Sequence, residues 1–176
     1  GQVDGGVFSY NSEKVLATVA ALEDAFSQLY RVNKDGTSGI AIGRYPEDQY
    51  DGYSGGGTGN PWFINTAAFG EFYFRLAREL EKSPEIKIGA LNRSFYHKVK
   101  KLKRTDSVFK KGSAQYIDML KSLRAKGDSF LIRVMHHVDG TGAMSEQINR
   151  DSGYMQGARD LTWSYAGLLS AIRQRK

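Results

Sequence analysis

Two stretches of this 176-residue chain place chemically capable side chains at short spacing. The first is Met144-Ser145-Glu146-Gln147, a carboxyl group between a hydroxyl and an amide, followed by Ala158-Arg159-Asp160-Leu161-Thr162-Trp163-Ser164-Tyr165. The second is Gly43-Arg44-Tyr45-Pro46-Glu47-Asp48, with Tyr50 close behind, then Gly59-Asn60-Pro61-Trp62-Phe63. A carboxylate held by neighbouring hydrogen-bonding groups can act as a general base that activates water. Spacing alone leaves Glu146 open to another role, as a surface glutamate in a turn or the third-position partner of a capping box. A planar guanidinium such as Arg44 has several donors for neighbouring hydroxyls, and Asp48 beside it would fix its orientation. The same pair also reads as a buried structural ion pair. His136-His137 point in different directions on a helix, and no Glu or Asp completes a ligand spacing. Neither a metal nor a cofactor is expected.

These residues need elements to hold them. Val15, Leu16, Val19, Leu22, Phe26 and Leu29 recur at helical spacing, which predicts a helix from an Asn11 N-cap to about Tyr30. Lys34-Asp35-Gly36-Thr37-Ser38-Gly39 is turn material, and Ile40-Ala41-Ile42 leads apolar residues into Arg44. Residues 51–60 are glycine-dense, a backbone that suits a loop close to a ligand or a flexible connector. Pro61 would open a helix reaching Lys82. Another is expected within 92–102. A Ser113-capped helix would end near Lys126, and Gly127-Asp128 would divide it from one running through Val138. Asp139-Gly140-Thr141-Gly142 is a tight turn that delivers Glu146, and Arg159 or Asp160 would start the last helix. No stretch alternates convincingly with period two, so the class expected is all-α, with long polar-aromatic loops whose length implies function.

One domain fits this length. The chain contains no cysteine, which excludes disulfides, thiol catalysis and cysteine–metal sites. The longest apolar runs fall far short of a membrane span. The net charge is +6, concentrated in His97-Lys98-Val99-Lys100-Lys101-Leu102-Lys103-Arg104 and Lys110-Lys111. Without a nucleic-acid fold signature, this basic stretch at 97–111 reads as a solvated connection between helices, and no nucleic-acid partner is expected. Aromatic residues make up 12% of the chain, enough to line a sugar cleft, although most of them pack. Gly1-Gln2-Val3-Asp4-Gly5-Gly6 has neither an initiator methionine nor a cleavage-site context, and reads as a start inside a longer polypeptide.

Taken together, the Ser-Glu-Gln motif, the Ala-Arg-Asp-Leu-Thr-Trp-Ser-Tyr run and the Gly-Arg-Tyr-Pro-Glu-Asp and Gly-Asn-Pro-Trp-Phe motifs resemble the glucoamylase family of inverting glycoside hydrolases, family 15. The matching segments lie at about 39–75 and 128–173, and the basic stretch takes no part. The resemblance implies an (α/α) toroid of the (α/α)6 type. Residues 1–176 would be the C-terminal part of a single catalytic domain whose N-terminal part is missing. It assigns Glu146 as the catalytic base and Arg44 as the cleft arginine that binds glucosyl hydroxyls, with Asp48 beside it. Trp62 would lie near the leaving sugar, where a core role at a helix start is also open. Tyr45 and Tyr50 would pack on sugar or support Arg44, while Arg159, Asp160 and Trp163 would act as supporting or packing residues.

The implied activity is release of β-D-glucose from non-reducing ends of starch, glycogen or maltooligosaccharides. The family's Trp-Glu-Glu-type motif, which carries its general acid, does not occur here. Glu13, Glu23, Asp24 and Glu71 match nothing catalytic. A complementary N-terminal segment is therefore the expected partner, with an α-glucan as substrate and a secreted or periplasmic setting rather than a cytoplasmic one. Competing readings are a non-catalytic carbohydrate-binding or regulatory toroid module and a related trehalose- or dextran-acting hydrolase.

Overall fold

The structure, a computed structural model, describes residues 8–37 and 39–176. The reading of residues 1–6 as an internal start lies outside the described residues, as does Ser38 in the expected turn. Five helices dominate: α1 (Glu13–Leu29), α2 (Phe63–Lys82), α3 (Arg93–Val99), α4 (Ala114–His137) and α5 (Thr162–Arg175). A 3₁₀ turn, Arg31–Lys34, follows α1. The all-α class stands, with the addition of two small antiparallel ribbons that no period-two pattern announces. One pairs β1 (Glu85–Lys87) with β2 (Val108–Lys110), the other β3 (Gln147–Ile148) with β4 (Met155–Gln156). Strands of two or three residues are too short to leave an alternation in the sequence.

The central helix is α2. It packs on α4 along one side and on α5 along another, and its buried Tyr73, Leu76, Ala77 and Leu80 join Leu16, Phe26, Phe95, Met119, Leu123 and Phe130 in the main core. Helix α4 is continuous through Gly127-Asp128, where a division was expected. Gly127 is there for packing: a Cβ on it would lie 2.6 Å from the Phe74 ring, and one on Gly70 of α2 would come 3.2 Å from the Gly127 carbonyl oxygen. The missing side chains let α2 and α4 approach closely, and the helix absorbs glycine's poor propensity. A smaller cluster of Phe63, Ala67, Val134, Met144 and Ile148 joins the start of α2 to the end of α4 and to β3.

Several boundaries move for identifiable reasons. Ser12, not Asn11, precedes α1. Pro61 and Trp62 are extended, because the Trp62 N–H donates to the Ile42 carbonyl and the Ile148 N–H to the Pro61 carbonyl, so α2 starts at Phe63. Helix α3 stops at Val99; beyond it Arg93 donates to the carbonyls of Lys103, Arg104 and Asp106 and folds the basic stretch back. Lys98 and Lys100 pair with Asp24 and Asp118. Asp160 adopts a positive φ of 49°, so α5 begins only at Thr162. As expected, Ser113 caps α4, its hydroxyl accepting from the Tyr116 N–H at 3.2 Å.

Candidate active site

The segment that carries Arg44 is fixed before any ligand arrives. The Ile42 N–H donates to the Thr66 hydroxyl at 3.0 Å, and Asn33 holds both the N–H and the carbonyl of Ala41. Beneath it Arg133, fully buried in α4, forms a two-point bond to Asp35 at 2.8 and 3.0 Å and also donates to the carbonyls of Val32, Thr37 and Gly39. A buried guanidinium with this many acceptors is fully paired, and it ties Val32, Asp35, Thr37 and Gly39 together.

Arg44 then reaches Asp48 four residues on, with Nε and a terminal nitrogen bonded to the two carboxyl oxygens at 2.7 and 2.6 Å. Asp48 also accepts from the Tyr50 N–H at 3.0 Å. The hydrogen bonds from Arg44 hold the Asp48 carboxyl below the usual carboxylate range, against the opposing effect of burial. Asp48 is therefore an anion that fixes the orientation of the Arg44 guanidinium. Three rings surround the guanidinium carbon: Tyr45 at 5.6 Å, Tyr50 at 5.2 Å and Trp62 at 5.0 Å. Trp62 continues the wall to Trp163 of α5, 5.9 Å between ring centroids, and Trp163 is 46% exposed. That contact is a packing one, as expected for Trp163, with much of the ring left open to solvent.

Glu146 enters from the other side. It is 7% exposed and sits one residue before β3, with its N–H donating to the Ala158 carbonyl at 2.8 Å. The Gln147 side-chain amide donates to Glu146 Oε2 at 3.2 Å, and the Asn60 amide in turn donates to Gln147 Oε1 at 2.8 Å. Asn60 also reaches the Asp51 carbonyl and accepts from the Arg150 N–H. Of the two residues flanking Glu146, Gln147 orients its carboxyl group. Ser145 contributes its carbonyl, which accepts from the Ser164 hydroxyl at 2.8 Å and ties the motif to α5. The phenol of Tyr50 is shifted up from its ordinary value, first by burial and then by the negative charge of Glu146. The Arg44 guanidinium, shifted up chiefly by its bond to Asp48, also feels Glu146. Glu146, Arg44, Asp48, Tyr45, Tyr50 and Trp62 thus form one neighbourhood.

Three residues of this neighbourhood carried no functional weight in the sequence. Gly157, at φ +78°, lies against the carboxylate, and a Cβ there would come within 2.9 Å of Glu146 Oε2. Gly52, at φ +96°, would press a Cβ to 2.9 Å from Gly157 Cα. Asn60 was legible only as part of the Asn-Pro-Trp motif; its amide network is a product of the fold. No group of three or more histidine, cysteine, aspartate or glutamate side chains is placed to hold a metal among the described residues, and no helix there is long and apolar enough to cross a membrane.

With this geometry in place, known proteins give its context. The family model described as Glycosyl hydrolases family 15 matches residues 2–173. Glucoamylase 1 of Rhizopus oryzae is 36% identical over 173 residues, which cover 97% of this chain and 28% of that protein. A glucoamylase of Blastobotrys adeninivorans is 38% identical over 184 residues, with 100% and 29% coverage. Among solved structures, the family 15 glucoamylase from Hypocrea jecorina superposes with a TM-score of 0.86 at 31% identity, covering 98% of this chain and 28% of its own. The Saccharomycopsis fibuligera glucoamylase gives 0.87 at 34% identity, with 99% and 37% coverage. The chain spans between 28% and 37% of the length of these relatives.

Proposed function

The chain belongs to glycosyl hydrolases family 15, and from that premise we propose that it carries the base half of a glucoamylase-type site. The reaction is hydrolysis of α-1,4-glucosidic bonds from the non-reducing ends of starch, glycogen or maltooligosaccharides. The observation that carries this reading is the Glu146 carboxylate, buried and oriented by Gln147, beside an Arg44–Asp48 pair walled by aromatic rings. Arg44, fixed by Asp48, donates to sugar hydroxyls, Tyr45 and Tyr50 offer faces to the ring, and the buried Trp62 backs the guanidinium. Glu146 takes a proton from a water that attacks the anomeric carbon opposite the leaving oxygen. The product is β-glucose, and the two carboxyl groups need roughly 6.5–9.5 Å between them to admit that water.

The general acid comes from a complementary segment of the same helical domain. A general acid must hold its proton near working pH. Asp48 is kept ionised by Arg44, and Asp51 is held below the usual carboxylate range by N–H donors of its own loop, chiefly those of Ser54 and Tyr53. Neither suits the task. The Trp62 indole N–H, buried without a partner among the described residues, supports the same view, because buried donors are normally paired.

Proton NMR of maltose with the longest natural polypeptide that contains this chain tests the proposal. β-Glucose as the first product supports single-displacement inversion. α-Glucose as the first product, or no hydrolysis, overturns it.

A further inference from the structure

A single line of hydrogen bonds runs from the backbone just after β3 to the Glu146 carboxylate. The Arg150 N–H donates to Asn60 Oδ1 at 3.0 Å, Asn60 Nδ2 to Gln147 Oε1 at 2.8 Å, and Gln147 Nε2 to Glu146 Oε2 at 3.2 Å. We propose that Asn60 is a positioning residue for Glu146. Acting through Gln147, it fixes which way the Gln147 amide faces, and so which carboxylate oxygen is left to meet water. The inference deepens the base role proposed for Glu146 above and rests on it.

The direction of the line is set by two backbone groups. A side-chain amide can exchange its oxygen and nitrogen by turning about, and a carboxylate beside a free amide would meet either. Asn60 has no such freedom. A backbone N–H only donates, so the Asn60 atom that faces Arg150 is the oxygen. A backbone carbonyl only accepts, so the atom 3.1 Å from the Asp51 carbonyl is the nitrogen. The second hydrogen of that nitrogen goes to Gln147 Oε1, which turns Gln147 Nε2 towards Glu146. A reversed Gln147 would set nitrogen against nitrogen and oxygen against carboxylate, two repulsive contacts in place of two bonds. Asn60 and Gln147 are both buried, where a lost partner is costly and is not replaced by bulk water.

The N–H that sets the direction is itself held firmly. The Arg150 guanidinium donates to the Leu29 and Gly59 carbonyls at 3.0 Å each and lies 5.2 Å from the centre of the Tyr30 ring, while the Arg150 carbonyl accepts from the Val32 N–H at 2.9 Å. At the other end, Oε2 of Glu146 has Gln147 bonded to it and Gly157 packed against it. Oε1 is then the oxygen that receives the proton of the attacking water.

The test is a mutant cycle on maltose, in the longest natural polypeptide containing the chain. Asn60→Ala is expected to lower kcat about tenfold with KM within about twofold, the pattern of a reacting group left out of position. Asn60→Leu, which keeps the volume and not the amide, should lose as much; recovery of kcat in that variant would assign Asn60 a packing role and overturn the proposal. In a Gln147→Met background, which removes the amide through which Asn60 acts, adding Asn60→Ala should change kcat by less than about twofold. An equal loss in both backgrounds would overturn it. The direction of the line is read without turnover by NMR of the side-chain amides. The Gln147 proton bonded to a carboxylate should move upfield in Glu146→Gln, where the acceptor is neutral. A Gln147 amide that does not respond would overturn the proposal whether or not the parent cleaves maltose. Failure of the base reading, which the maltose products report, is therefore separable from failure of this one.

Discussion

Replacing Gly157 with alanine tests the geometry of the proposed base, Glu146, more sharply than removing Glu146 itself. Gly157 has a φ of +78°, and its Cβ would stand 2.9 Å from Glu146 Oε2 and 3.3 Å from Glu146 Cβ. Two effects follow. An L-residue in that backbone region costs about 1–2 kcal/mol, which appears as lost stability. The carboxylate must also retreat, and it has little freedom: Gln147 grips Oε2 at 3.2 Å, and Asn60 holds Gln147 in turn at 2.8 Å. Displacement of a reacting group by about 1 Å costs on the order of 100-fold in rate, and a shift of a few tenths correspondingly less. The expected outcome on maltose is a kcat lower by about 10- to 100-fold, with KM changed little, because Arg44 and the aromatic wall stay in place.

Gly153→Ala is the control. It has a similar φ of +76°, but its Cβ would meet His137 Cε1 at 3.0 Å, away from Glu146. Both variants should lose similar stability in urea unfolding, and only Gly157→Ala should lose kcat. Equal kcat for the two would refute the claim that the carboxylate is held in one position by its neighbours.

Three further outcomes are expected. Glu146→Gln should lower turnover by about 10²–10⁴-fold, the usual contribution of a general base, while maltoheptaose binding measured by calorimetry stays within a few-fold. Gly127→Ala should destabilise the fold by about 1–3 kcal/mol in urea unfolding, because the overlap with the Phe74 ring at 2.6 Å outweighs a helix-propensity gain of about 1 kcal/mol. For His137 the folded pKa is depressed from 6.5 to about 4 by burial, so the unfolded chain takes up the proton first as pH falls. Stability is full above the unfolded value and declines between pH 6.5 and 4, by up to about 3 kcal/mol; urea unfolding of His137→Gln across that range should show a flatter decline than the parent.

Long helices with strong periodicity were legible in the sequence: Leu16, Val19 and Phe26 are buried in α1, and Phe63, Ala67, Phe74 and Leu80 in α2. The motifs, and not the periodicity, pointed to Arg44, Asp48, Trp62 and Glu146 as a set. Gly127 misled because glycine usually breaks a helix, and only the Phe74 ring opposite explains why this one sits inside. The contact of Trp163 with Trp62 was not legible, because the two are 101 positions apart and no local pattern encodes a contact across that separation. That His137 Nε2 has no partner among the described residues was equally invisible, because it depends on which carbonyl its other nitrogen meets.

The glycine-dense loop at 51–60 had two open readings, ligand wrap or flexible connector, and the hairpin that follows Glu146 points to a third role. A ribbon with two residues per strand is marginal by itself, so β3 and β4 must draw their order from elsewhere. They draw it from this loop. Asn60 bonds Gln147 and the Arg150 N–H, the Gln156 side chain donates to the Asp51 carbonyl, Pro61 accepts from Ile148, and Trp62 forms a bridge with Gln147. Gly52 is packed against Gly157 with no room for a side chain. The loop is a second wall for the hairpin. The position of Glu146 therefore depends on residues about 90 positions earlier, so substitutions in the loop that leave Arg44, Tyr45, Asp48, Tyr50 and Trp62 intact should still displace the Glu146 carboxylate.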